Sequence, residues 1–123
     1  MKATDLRIGN YVNRIGSITN ITAIEYHKDL SYVCTPISGS ITENQIEPIQ
    51  LTEEWLIKFG FKRNERIGSF DTYIVLMKES LSVNNKMGMY FKNQRVPNNI
   101  KYVHQLQNLY YALTGEELTI KEK

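Results

Sequence analysis

The 123-residue chain is 41% hydrophobic and 23% charged, the composition of one globular domain around a single core. A net charge of +2 is too small to mark a dedicated nucleic-acid binder, no apolar run approaches the roughly 20 residues of a membrane helix, and MKATDLRIGN lacks the apolar stretch of a secretory signal. One cysteine and two histidines exclude an internal disulfide and a closed zinc site without borrowed carboxylates, so a cytoplasmic domain with no metal and no cofactor is expected.

From Leu6 to Gln50 the chain is rich in isoleucine, valine, threonine and tyrosine, broken by turn signals at Asn13-Arg14-Ile15-Gly16 and Ser38-Gly39. Short antiparallel strands are predicted at Asn10 to Asn13, Ser17 to His27, Leu30 to Pro36 and Ser40 to Pro48, with Lys28-Asp29 as a tight connection. The succession IGNYV then IGSITNI resembles the opening hairpin of SH3-like barrels, and that arrangement is expected for the N-terminal part.

A helix starts at Leu51-Thr52-Glu53-Glu54-Trp55-Leu56: Thr52 can cap free amides, the two glutamates meet the positive end of the dipole, and Leu51 can staple onto Leu56. Trp55 and Phe59 share a face as core anchors, and Gly60 ends the helix. Phe70 to Lys78 is a near-continuous apolar run that predicts a buried strand, with Val75 in the core. Leu81 to Val83 and Met89 to Phe91, flanking Asn84-Asn85-Lys86-Met87-Gly88, predict a hairpin.

Pro97-Asn98-Asn99 breaks the strand pattern and offers a cap for a final helix over about Ile100 to Thr114, closed by Gly115. At 100° per residue, Tyr102, Val103, Leu106, Leu109, Tyr110 and Leu113 fall within an arc of about 120° that predicts the core face. His104, Asn108 and Tyr111 lie together on the polar side, with Gln107 at its margin and Lys101 and Gln105 further round. The elements add up to an α+β fold of mostly antiparallel strands with one short helix and one longer C-terminal helix, in a single domain over residues 1–123.

No phosphate-binding glycine loop, GxSxG elbow, HExxH or CxxC occurs, so no catalytic residue is predicted and the protein is expected not to be an enzyme. His27 and His104 lack an identifiable partner nucleophile. Glu53 with Glu54 and Glu116 with Glu117 are sequence neighbours whose side chains point apart, which suits dipole partners and solvated charges. Cys34 lies in a predicted strand with no basic neighbour and reads as a small core residue.

Between Glu79 and Glu116 no acidic residue occurs, while Lys86, Lys92, Arg95 and Lys101 do. Arg95 and Lys101 could contact phosphates, Tyr111 could stack, and His104, Gln105 and Asn108 could read polar edges, a set that suits a nucleotide or another phosphorylated ligand. The competing reading is a merely solvated helix face, with lysines guarding strand edges against aggregation. An exposed Tyr111 also fits a contact between copies of a homo-oligomer.

Three segments, DLRIGNYV at 5–12, LTEEWLIKFGF at 51–61 and YVHQLQNLYYALTGEEL at 102–118, resemble a family of small proteins of Bacteroidetes and of their phages and prophages. The most specific part is HQLQNLYYALTGEEL. The family has no assigned activity, so the resemblance transfers no site residue. It implies a phage or prophage protein of the host bacterial cytoplasm, with interference in host defence among the expected functions. Joined to the missing catalytic motifs, this predicts a non-catalytic protein that sequesters a small phosphorylated nucleotide signal. The alternative is an interaction protein that touches nucleic acid or a host protein through an SH3-like β portion.

Overall fold

The computed structural model describes residues 5–26, 31–36, 39–67, 72–78, 81–84, 89–92, 94–96 and 100–120. The chain divides into two compact units, one of Met1–Gln50 with Lys101–Gly115 and one of Leu51–Ile100 with Glu116–Lys123. The architecture is the mixed α+β expected, with antiparallel strands in three sheets and two helices among the described residues. Neither helix is long and apolar enough to cross a membrane.

In the first unit β1 (Tyr11–Arg14) and β2 (Ser17–Asn20) form a hairpin. Its turn residues Ile15 and Gly16 have φ of 50° and 75°, and two successive left-handed residues are what a tight two-residue hairpin requires. The predicted strand from Ser17 to His27 is two strands, β2 and β3 (Ala23–Tyr26), because the backbone changes partner between them. Ile21 N–H donates to Asn10 O at 2.9 Å, whereas Thr22 N–H donates to Cys34 O at 2.8 Å. Consecutive amides thus serve different sheets, which bends the chain from one to the other.

β3, β4 (Ser31–Thr35) and β5 (Gly39–Thr42) make a three-stranded meander. The predicted strand Ser40 to Pro48 is broken by a 3-10 turn at Glu43–Gln45, where Gln45 Oε1 accepts from Thr42 N–H at 3.0 Å. The chain then returns to β1 through a reciprocal pair of 2.9 Å bonds between Asn13 and Glu47. Hairpin, meander, 3-10 turn and return to β1 follow one another along the chain. The ladders themselves are one two-stranded and one three-stranded sheet rather than a closed sheet. Leu6, Val12, Ile21, Val33, Ile41 and Ile46 form the core, with Ile24 packed against it. Cys34 is half-buried, on the opposite strand face from Val33. Lys28-Asp29 and His27 lie outside the described residues.

The same unit holds α2 (Val103–Thr114), entered through the Gln50–Tyr102 bridge and a 2.8 Å bond from Val103 N–H to Ile49 O. Gly115, at φ 76°, closes the helix by donating to Tyr111 O at 2.8 Å. The predicted cap at Pro97-Asn98-Asn99 lies outside the described residues, and α2 begins three residues later than Ile100.

In the second unit α1 (Glu53–Lys58) starts as predicted, with Thr52 Oγ1 accepting from Trp55 N–H at 3.4 Å. Gly60, at φ 94°, follows its C-terminus. Five strands come next: β6 (Lys62–Ile67), β7 (Thr72–Lys78), β8 (Leu81–Asn84), β9 (Met89–Phe91) and β10 (Gln94–Arg95). They lie side by side in the order β10-β9-β8-β7-β6, so β6 and β10 are edges. Neither edge was predicted. KRNERI has no apolar alternation, and a strand with one free side tolerates that charge density. Phe70 and the loop at 85–88 lie outside the described residues, as does the side chain of Val75.

The strand register sorts the side chains of this sheet into two faces. Leu76, Leu81, Val83 and Met89 lie on one face and are buried. α1 adjoins that face, since Lys78 Nζ donates to Phe59 O at 2.7 Å and Arg63 meets Glu53 at 3.7 Å. Trp55 and Phe59 are buried, with ring centroids 5.6 Å apart. The other face carries Lys62, Met77, Ser82, Tyr90 and Arg95.

Candidate functional site

The C-terminal helix is turned from its predicted phase. Val103, Leu106 and Tyr110 are buried as expected, but so are His104 and Gln107, whereas Tyr102, Leu109 and Leu113 are only half-buried. The buried arc is therefore centred about 80° round the helix from the predicted one. Its polar members explain the turn. Gln107, 1% exposed, accepts from Tyr11 N–H at 2.9 Å and from Asn10 Nδ2 at 3.4 Å through Oε1, and donates through Nε2 to Gly9 O at 3.1 Å. Its amide thus completes the backbone hydrogen bonding of the segment that enters β1, as a paired strand would.

His104, placed on the polar side by periodicity, is 5% exposed. Its ring stacks on Tyr102 at 5.9 Å between centroids with a 9° tilt, and no hydrogen-bond partner for its Nδ1 lies among the described residues. Burial holds the imidazole below its ordinary pKa, with the Asp5 carboxylate pulling the other way. A neutral, enclosed ring is a poor first contact for a phosphate.

The amides predicted to read a ligand are engaged within the fold. Gln105 Oε1 accepts from Lys101 N–H at 2.8 Å and Tyr102 N–H at 3.1 Å, capping the start of α2 from within its first turn. Asn108 Oδ1 accepts from Asn10 Nδ2 at 3.0 Å and Arg7 Nη1 at 3.3 Å, and its Nδ2 donates to Asp5 O at 3.1 Å. Tyr111 is exposed, as predicted, at 43%, but Arg7 covers its ring with the guanidinium carbon 4.1 Å from the centroid. Lys101 is exposed.

Arg95 belongs to the other unit, on edge strand β10 opposite Tyr90 of β9. Its guanidinium carbon is 6.0 Å from the Tyr90 centroid, and Nη1 lies 3.5 Å from the phenol oxygen. Both contacts are loose. Arg95 is exposed and has no acidic partner among the described residues. Between β9 and β10 stands a second cation beside a ring, Lys92 Nζ lying 5.5 Å from the centroid of Phe91 at the end of β9. Of the six predicted ligand residues, Lys101, His104, Gln105, Asn108 and Tyr111 thus share one helix and its lead-in, and Arg95 stands apart from them in sequence and in unit. Tyr90 and Lys62, on the same sheet face as Arg95, were missed. Neither carries a local sequence signal, since KRNERI has no apolar alternation and Tyr90 stands in the unbroken run Met89-Tyr90-Phe91.

No family model, no curated protein and no solved structure matches the chain. Among the described residues no group of three or more histidine, cysteine, aspartate or glutamate side chains is arranged to hold a metal ion. Arg95, the predicted ligand residue outside α2 and its lead-in, is exposed at the end of a row in which Met77, Ser82 and Tyr90 are half-buried.

Proposed function

We propose that the protein is a non-catalytic binder of a phosphorylated, base-bearing ligand, with Arg95 holding phosphate and Tyr90 stacking on the base. Arg95 carries this reading. It is an exposed guanidinium without an acidic partner among the described residues, beside a half-buried tyrosine, in an interval of sequence free of acidic residues. A guanidinium offers a phosphate two parallel hydrogen bonds, and a tyrosine face accepts any base. The resemblance to phage proteins supports a purpose for such capture: withholding a nucleotide signal of host antiviral defence from its effector in the host cytoplasm. Sequestration needs affinity and abundance, and no reacting group.

Calorimetry with a panel of linear and cyclic nucleotides tests the proposal. At least one member should bind at about micromolar or tighter, equivalent to roughly 8 kcal/mol. Arg95→Ala should remove about 1.5–3 kcal/mol of that, the worth of a charge-assisted hydrogen bond. A panel in which nothing binds tighter than about millimolar, or a ligand indifferent to Arg95→Ala, overturns the reading.

A further inference from the structure

The register of the five-stranded sheet places Lys62 opposite Met77, Met77 opposite Ser82, Ser82 opposite Tyr90 and Tyr90 opposite Arg95. One row thus crosses every strand, on the face turned away from the buried Leu76, Leu81, Val83 and Met89. Neighbouring strands lie about 4.8 Å apart, so four intervals separate Lys62 from Arg95 by about 19 Å. We infer that this row is a track for single-stranded nucleic acid running across the strands, an inference that rests on the reading of Arg95 and Tyr90 given above.

The charge and chemistry of the row set the occupant. Lys62 and Arg95, on the two edge strands, are both exposed and have no acidic partner among the described residues. Between them stand three half-buried, uncharged side chains, a thioether, a hydroxyl and a phenol ring, so a base laid over them strips no ion. Glu53 meets Arg63, which lies on the other face, at 3.7 Å, and the register puts Glu65, the acid within β6, on that other face as well. One nucleotide cannot touch both cations across about 19 Å, whereas a stacked strand advancing about 3.4 Å per nucleotide covers that length with several. A single strand also leaves its base faces free to stack on Tyr90, which a duplex does not.

The test is fluorescence anisotropy with a labelled eight-nucleotide strand of mixed sequence, its duplex as competitor, and AMP measured by calorimetry. The octamer should bind at least 10-fold tighter than AMP and outcompete the duplex. Its log affinity should fall with log salt at a slope of about −1.4, the value for two neutralised phosphates of a single strand. Lys62→Ala should flatten that slope by about 0.7, and Lys62→Glu should weaken the octamer about 10-fold while leaving AMP unchanged. Lys62 is exposed on an edge strand, so these variants remain readable where a substitution in the buried face would disturb folding. If AMP binds, depends on Arg95, and matches the octamer, the track is wrong and the nucleotide reading stands. An octamer indifferent to Lys62→Glu, or a duplex that competes equally, also overturns the track. If neither the octamer nor any member of the nucleotide panel binds, both readings fall.

Discussion

Replacing Gln107 by leucine keeps the volume of a buried side chain and removes its amide, which isolates what the hydrogen bonds contribute. The change leaves Tyr11 N–H without its 2.9 Å acceptor and Gly9 O without its 3.1 Å donor, while Asn10 Nδ2 retains Asn108 Oδ1 at 3.0 Å. Each orphaned backbone group costs about 1–3 kcal/mol when water cannot replace the partner. Gly9 and Tyr11 are half-buried, so water recovers part of this and a net loss of about 1.5–3 kcal/mol is expected. Urea denaturation with an unchanged m-value would read it, alongside faster hydrogen exchange at the Tyr11 amide. Gln107→Glu is the control on chemistry. Its carboxylate would face Gly9 O, so burial should raise its pKa above the ordinary glutamate value of about 4.3. The deficit should be smallest below about pH 4, where the protonated acid can donate to Gly9 O, and should grow as pH rises through the folded-state pKa. A Gln107→Leu protein within about 0.5 kcal/mol of the parent would show that the amide does not complete the entry to β1.

Two further changes probe the first unit. Ile15 sits at φ 50° with 82% of its surface exposed, so a β-branched residue bears left-handed strain of about 1–2 kcal/mol without a packing return; Ile15→Asn should stabilise the protein by about 1 kcal/mol, and an unchanged or lower midpoint in urea would contradict the turn geometry. His104 has a folded pKa below 6.5, chiefly through burial, so the unfolded chain takes up its proton first as pH falls; stability is full above about pH 6.5 and declines below it. His104→Phe, which keeps a ring to stack on Tyr102, should remove that part of the slope, and an equal slope in both proteins would refute the assignment.

What the sequence disclosed and what it hid divide by the range of the interaction. The cap from Thr52, the helix stop at Gly115 and the tight turn at Ile15-Gly16 are decided by neighbours within a few residues, and each stands where local chemistry predicts it. The strand break at Ile21-Thr22 depends on Asn10 on one side and Cys34 on the other, which no local pattern displays. β6 and β10 were missed because an edge strand needs only one apolar face at most, and KRNERI shows none. The phase of α2 depends on partners 96 residues away, since Gln107 counts as a solvent-facing residue until Tyr11 is placed beside it.

The same long-range bonds change what distinctive sequence means in this chain. DLRIGNYV and YVHQLQNLYYALTGEEL, two of the three segments from which a family resemblance was expected, bind each other: Asp5, Arg7, Gly9, Asn10 and Tyr11 meet Gln107 and Asn108 through backbone and side chain. Each amide in HQLQN has both geometry and a partner that explain it without a ligand, Gln105 as the helix cap, Gln107 and Asn108 as the tie to β1. A polar cluster of this kind is demanding because every member must be satisfied at once, and that demand alone restricts the residue types it admits. A binding face imposes no such demand in the free protein. The residues of the face proposed above, Lys62, Tyr90 and Arg95, are individually ordinary, and only strand register brings them into one row. On the proposed reading, binding therefore belongs not to the most recognisable stretch of the chain but to a stretch with no local signature, where Lys62 and Arg95 stand exposed without an acidic partner among the described residues.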